Sequence, residues 1–269
     1  MKSNHTPDFN RVSVLTATIL LAYVVARLVD LPEQLLDWQI LGLYISFNFN
    51  IHTVIAVILA GLTATGADWL LRGHPLLGDK STVQHWILPA LTAWVISVPL
   101  SSLPLNPIWW TLYAIGGGLL LIVLVAEYIA VDPEDVRYPI ASACLIAVSF
   151  ALFLILAVTL KSTGARLIVI LVVLTISITL ISLRTFSLRS PERFPIRDSW
   201  VVAILTAQIM SALHYLPLSA TSFGLAILGP AYALTALISV GRNKPLHWQR
   251  FLEPAVVLVA SWGAAFWLR

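Results

Sequence analysis

The chain has 269 residues, of which 59% are hydrophobic and only 11% charged, and its mean hydropathy is +0.89. So few charges exclude an ordinary water-soluble domain, and the chain reads as an integral membrane protein. A net charge of +3 with a pI near 9.2 would suit a nucleic-acid partner, but the placement of the basic residues accounts for it, and no nucleic acid is expected.

Nine apolar runs follow one another along the chain, near residues 12–29, 51–71, 86–103, 108–131, 139–160, 167–183, 200–216, 222–240 and 251–268. Each approaches the ~20 residues that cross a ~30 Å hydrocarbon layer as a helix. The predicted fold is therefore all-α, a polytopic membrane helix bundle of about nine transmembrane helices forming one domain. The first run has a basic flank but is long and lacks a small-x-small cleavage site, so it reads as a retained anchor. The longest polar gap, Arg184–Asp198, is too short to bury a core, and no soluble domain is expected within the chain.

Between the first two runs, residues 31–50 read as an extended or interfacial outer segment. Leu43-Tyr44-Ile45-Ser46-Phe47-Asn48-Phe49-Asn50-Ile51 alternates apolar and polar, the period of a strand with one greasy face. An open strand edge cannot face lipid, so this segment is expected at the interface or against the bundle, as a lid or plug.

Similar openings suggest internal hairpin repeats. Gln84-His85-Trp86-Ile87-Leu88-Pro89-Ala90 starts the third span and Gln249-Arg250-Phe251-Leu252-Glu253-Pro254-Ala255 the ninth, with a looser echo at Arg137-Tyr138-Pro139-Ile140-Ala141. Ala67-Asp68-Trp69 and Ala126-Glu127-Tyr128 likewise close the second and fourth spans. These echoes group spans 2–3, 4–5 and 8–9 as related hairpins.

Orientation follows from charge. With the amino terminus cytoplasmic, that side holds Lys2, Arg11, Arg72, Lys80, Arg137, Arg184, Arg189, Arg193, Arg197, Arg242, Lys244 and Arg250. The far side holds only Arg27, Lys161, Arg166 and Arg269, with the acidic Asp30, Glu33 and Asp37. Basic loops resist translocation, so the expectation is amino terminus inside and carboxyl terminus outside. Composition and short loops add the expectation of a bacterial inner membrane.

The candidate site starts from helix breaks. Gly116-Gly117-Gly118 falls inside the fourth span and Gly229-Pro230 at a similar depth in the eighth. Interruptions at matching depths point to a binding site between helices, and close helix packing is the competing use of glycine. Thr206 and Gln208 are the remaining deep polar groups and are expected to line the same cavity or to bond across helices. Asp68, Glu127 and His214 lie toward span ends, where interfacial solvation would serve them, and the shared setting of Asp68 and Glu127 suggests a paired role.

No P-loop, His-Glu-x-x-His or Gly-x-Ser-x-Gly motif occurs, and the histidines lack the His-x-x-x-His spacing of a helical metal or pigment site. The one acidic loop, Asp132-Pro133-Glu134-Asp135, lacks the paired Asp-rich motifs with which membrane prenyltransferases hold magnesium and diphosphate. No catalytic residue, metal or cofactor is expected, and Cys144 has no second cysteine to pair with. An intramembrane enzyme would need polar groups to converge, for example Asp68 with Glu127 or His214 with Gln208. The sequence favours a protein that binds or translocates a hydrophobic or lipid-like small molecule through a largely uncharged intramembrane cavity. The alternative is a non-catalytic scaffold in a larger membrane complex. Expected partners are membrane lipids and, for the scaffold, other membrane-protein subunits.

Overall fold

A computed structural model describes residues 7–28, 34–40, 43–49, 51–78, 81–189, 195–243 and 251–268. Among the described residues it is a bundle of nine helices, with a two-stranded hairpin inserted after the first. The helices are α1 (Phe9–Leu28), α2 (Ile51–Leu71), α3 (Val83–Ser102), α4 (Pro107–Ile129), α5 (Tyr138–Ser162), α6 (Leu167–Arg189), α7 (Ile196–His214), α8 (Ala220–Asn243) and α9 (Leu252–Trp267). Eight are long and apolar enough to cross a membrane, and α9, with 16 residues, is shorter. Lys2, Asp30, Glu33, Lys80, Arg193, Lys244, Gln249, Arg250 and Arg269 lie outside the described residues.

The hairpin comprises β1 (Gln34–Ile40) and β2 (Leu43–Phe49), antiparallel, with Gln34 opposite Phe49 and Ile40 opposite Leu43. Its two outer edges carry backbone groups that hydrocarbon could not satisfy. Consecutive helices joined by short connections run in opposite directions. The bundle therefore has a proximal end, where α1 starts, and a distal end, where α1 stops and the hairpin begins.

Local chemistry explains several helix ends. Asn106 caps α4, its side-chain oxygen accepting from the Trp109 amide at 2.9 Å, and Pro107 occupies the first turn, where no amide donor is needed. At the end of α5, Gly164 takes φ +69°, a left-handed conformation that stops the helix while its amide bonds Lys161 O at 3.2 Å. The acidic α4–α5 connection is turn chemistry. Asp132 accepts from the Glu134 amide at 3.0 Å, and Asp135 from the Arg137 amide at 2.8 Å and its guanidinium at 3.0 Å.

Two apolar clusters share α3 and α4 as a common wall. On α3, Leu88, Leu91 and Val95 face a cluster built with α5–α8, while Ala93, Ile96 and Leu100 face one built with α1 and α2. On α4, Val123 and Ala126, with Ala130 just past its end, join the first cluster, and Leu120, Leu124 and Tyr128 the second. These are stripes at three- and four-residue spacing on different sides of each helix, and α4 keeps a further apolar face, Ile115, Leu121 and Ile122, exposed. Many buried hydroxyls within the spans bond their own backbone, as Ser149 to Leu145 O at 2.6 Å and Ser187 to Leu183 O at 2.9 Å, whereas those of Thr16, Thr185 and Thr206 have no partner among the described residues.

The sequence placed Arg184 in a cytoplasmic loop, with the sixth span ending at Leu183. The structure corrects this: α6 continues to Arg189, and Arg184 is 2% exposed. Ser177, Ile181, Arg184 and Leu188 recur at helical spacing on one buried stripe, so the arginine belongs to the packed face of the helix.

Candidate functional site

Arg184 is buried because two other ionisable side chains are buried with it. Glu127, near the end of α4, is 1% exposed, and His85, in the first turn of α3, is 4% exposed. The Arg184 guanidinium grips the carboxylate with two donors: Nε bonds Oε1 at 3.0 Å and Nη2 bonds Oε2. His85 Nδ1 lies 2.8 Å from Glu127 Oε2 and 3.0 Å from Arg184 Nη2. Three helices, α3, α4 and α6, thus meet through one ion cluster at the proximal end of the bundle.

The helix termini help to explain why the carboxylate sits there. Glu127 is close to the carboxyl end of its own helix, which disfavours negative charge, yet it is bonded to the first turn of α3, whose amide groups favour it. An isolated carboxylate in such surroundings would be prohibitively desolvated. A two-point arginine contact is the arrangement best suited to offset that cost. The single nitrogen His85 Nδ1 is contested. Carrying a proton, it donates to Glu127; lacking one, it accepts from Arg184. Moving one proton therefore changes which helix α3 is bonded to, α4 or α6. Tyr138, at the start of α5, donates to Leu188 O at 2.6 Å, one turn beyond Arg184, and fixes the fourth neighbouring helix.

Asp68 and Glu127 do not form the pair suggested by their similar settings. Asp68 accepts from Arg72 Nε at 2.7 Å and from Thr82 at 2.5 Å, tying the end of α2 to the residue that precedes α3. That hydrogen bond and the carboxylate's charge push the Arg72 pKa above its ordinary value, and the contact of Arg137 with Asp135 does the same at the start of α5. His214 lies at the distal end against the rings of Tyr215 and Phe223, where its backbone oxygen accepts from Lys161 Nζ at 3.1 Å. It cannot join the proximal cluster, and Gln208 is exposed on the outer face of α7. Thr206 is fully buried, and its hydroxyl has no partner among the described residues.

The glycine triplet is divided among three surroundings. A Cβ at Gly116 would stand 2.7 Å from Ile96 and one at Gly117 3.0 Å from Leu20, while Gly118 has nothing within 4 Å. At Gly229 a Cβ would stand 2.0 Å from the Ser261 hydroxyl on α9. Pro230 deprives the Ala226 carbonyl of its usual helical donor, and the Trp262 indole supplies one at 3.1 Å. The break in α8 is thus met by α9.

A cleft at the distal end is lined by Tyr23, Ala26, Arg27, Ile55, Leu59, Ser97, Leu100, Ser101 and Trp109. Its empty volume, open mouth included, is about 320 Å³. Its polar walls are mostly satisfied internally, Trp109 Nε1 donating to Leu100 O at 2.9 Å and Arg27 Nη2 to Leu103 O at 3.1 Å, but Arg27 Nε has no partner among the described residues. None of the sequence-selected glycines lines it. Among the described residues no three His, Cys, Asp or Glu side chains gather as a metal site.

Sequence reasoning passed over His85 and Arg184, the first because it lacked a second histidine at helical spacing. The usable signal was the stripe from Ser177 to Leu188, which carries Arg184 past the end of the apolar run. Comparison with curated proteins and with solved structures finds no match in either. Residues 31–268, covering the hairpin segment and every helix from α2 to α9, match one family model, and the chain belongs to that family, DUF5656, described as a protein of unknown function.

Proposed function

We propose that this membrane protein binds and translocates a hydrophobic, lipid-like molecule, with the His85–Glu127–Arg184 cluster as its proton-linked control point. The observation that carries the reading is the burial of three ionisable side chains from three helices in one contact. Ionisable groups inside a membrane bundle are costly to keep, and they mark relays, pathways and switches. The cluster joins the α3–α4 wall to α6, so a change in its protonation acts on the junction between the two apolar clusters. The largely aliphatic and aromatic lining of the distal cleft supports an amphipathic ligand over a polar solute.

The reading is tested in liposomes carrying a phospholipid with a fluorescent nitrobenzoxadiazole headgroup in both leaflets, with dithionite added outside to bleach the outer leaflet. The expected result is loss of inner-leaflet label faster than in protein-free vesicles, at a rate that depends on pH. A Glu127→Leu/Arg184→Met double variant, checked for folding, should lose the pH dependence. Label that stays protected at every pH in wild-type vesicles overturns the reading.

The basic residues support an amino terminus in the cytoplasm with all nine helices crossing, and the apolar composition and short loops suit a bacterial inner membrane. Reporter tags fused to the two ends should then be found on opposite faces. Tags on one face would mean that the 16-residue α9 does not cross.

A further inference from the structure

Hydroxyl groups on the exposed faces of the spans satisfy themselves. Thr18 bonds Val14 O at 2.8 Å, and Thr65 bonds Gly61 O at 3.1 Å. Gln208 cannot do this with its whole carboxamide. It is exposed in the inner part of α7, and it makes no hydrogen bond to any described residue. It lies twelve residues from one end of the helix and six from the other, about 18 Å and 9 Å along the axis. A glutamine side chain of roughly 5 Å does not reach the nearer interface from there. Around it the exposed stripe is Trp200, Val201, Ile204, Leu205 and Ala212, so the amide is an isolated polar group in an apolar face. An unbonded amide in hydrocarbon costs several kcal/mol in transfer measurements.

We infer that this face of α7 is the contact between two copies of the chain, with Gln208 of each copy bonded to Gln208 of the other. A carboxamide offers both a donor and an acceptor, so it is complementary to itself. A two-fold axis places one residue opposite its own copy, which is the arrangement such a group needs. Ala212, one turn along the same stripe, lets the two helix backbones approach there. α7 is also suited by position, being packed within its own chain chiefly against α6 and α8. The inference is independent of the ligand and of the ion cluster, which lies on other helices.

The test uses the full chain with Cys144→Ser, so that an added cysteine is the only thiol. Gln208→Cys should give a cross-linked dimer in native membranes with a short bifunctional thiol reagent, while Val172→Cys, exposed on α6, should not. Gln208→Leu should weaken dimerisation in lipid nanodiscs or mild detergent by about tenfold with the melting temperature unchanged. The inference is overturned if Gln208→Leu leaves the dimer fraction unaltered, if wild type is monomeric in nanodiscs, or if Gln208→Cys cross-links only to a different protein.

Discussion

Glu127→Ala is expected to lower the stability of the detergent-solubilised protein by about 3–5 kcal/mol. The reason is the fate of Arg184. With the carboxylate gone, a guanidinium that is 2% exposed loses both of its charge-assisted bonds and cannot reach water. Asp68→Asn is the internal control. The Asp68 side chain is 21% exposed and its partner Arg72 67% exposed, so this change should cost under about 1 kcal/mol. Chemical denaturation followed by tryptophan fluorescence, or thermal melting on a common scale, measures both. Equal effects would mean that water reaches the cluster and that the burial argument is wrong.

The double variant Glu127→Leu/Arg184→Met separates stability from use. Replacing a whole buried ion pair with apolar side chains of similar size is often neutral or stabilising, so most of the loss seen in Glu127→Ala should return. If the cluster only held the helices together, lipid movement would return with it. If the cluster works through its proton, the protein would be stable and its pH dependence lost. His85→Gln, which keeps a polar group but removes the titrating ring, should give the same functional loss at a smaller cost in stability.

These expectations also locate what the sequence could reveal. The helices were legible because lipid demands runs of about twenty apolar residues, and the spans near 51–71 and 108–131 fall within two residues of α2 and α4. The extended reading of residues 43–51 rested on strict alternation, and β2 covers most of them. The ion cluster was hidden for a different reason. A hydropathy run ends at the first charge, so Arg184 was assigned to a loop although the buried stripe of α6 continues through it to Leu188. Sequence reasoning gives Glu127 an interfacial setting like that of Asp68, but the residue is 1% exposed; its partners are 42 and 57 residues away, and no local pattern encodes that meeting. Similar local settings misled the pairing of Asp68 with Glu127, because an Ala-acid-aromatic triplet fixes a position on a helix end and says nothing of what lies across from it.

Leucine placed at each glycine of the candidate breaks should separate packing from cavity. Gly229→Leu should be the most damaging, since even a Cβ there would stand 2.0 Å from the Ser261 hydroxyl and 3.2 Å from Leu258. Overpacking of this kind typically costs about 1–3 kcal/mol, and occasionally more where a backbone must move. The loss here should reach the upper end, because parting α8 from α9 also draws the Trp262 indole off the Ala226 carbonyl that Pro230 leaves without a helical donor. Gly118→Leu should be nearly silent, because nothing lies within 4 Å of its side-chain direction. Gly116→Leu falls between them, with Ile96 at 2.7 Å able to give way only into a buried wall. Melting temperatures of the three variants should therefore follow the order Gly118, Gly116, Gly229 from least to most affected. The reverse pattern, a stable Gly229→Leu protein that fails to move labelled lipid, would mean that the break opens onto a ligand and that α9 moves aside when it binds.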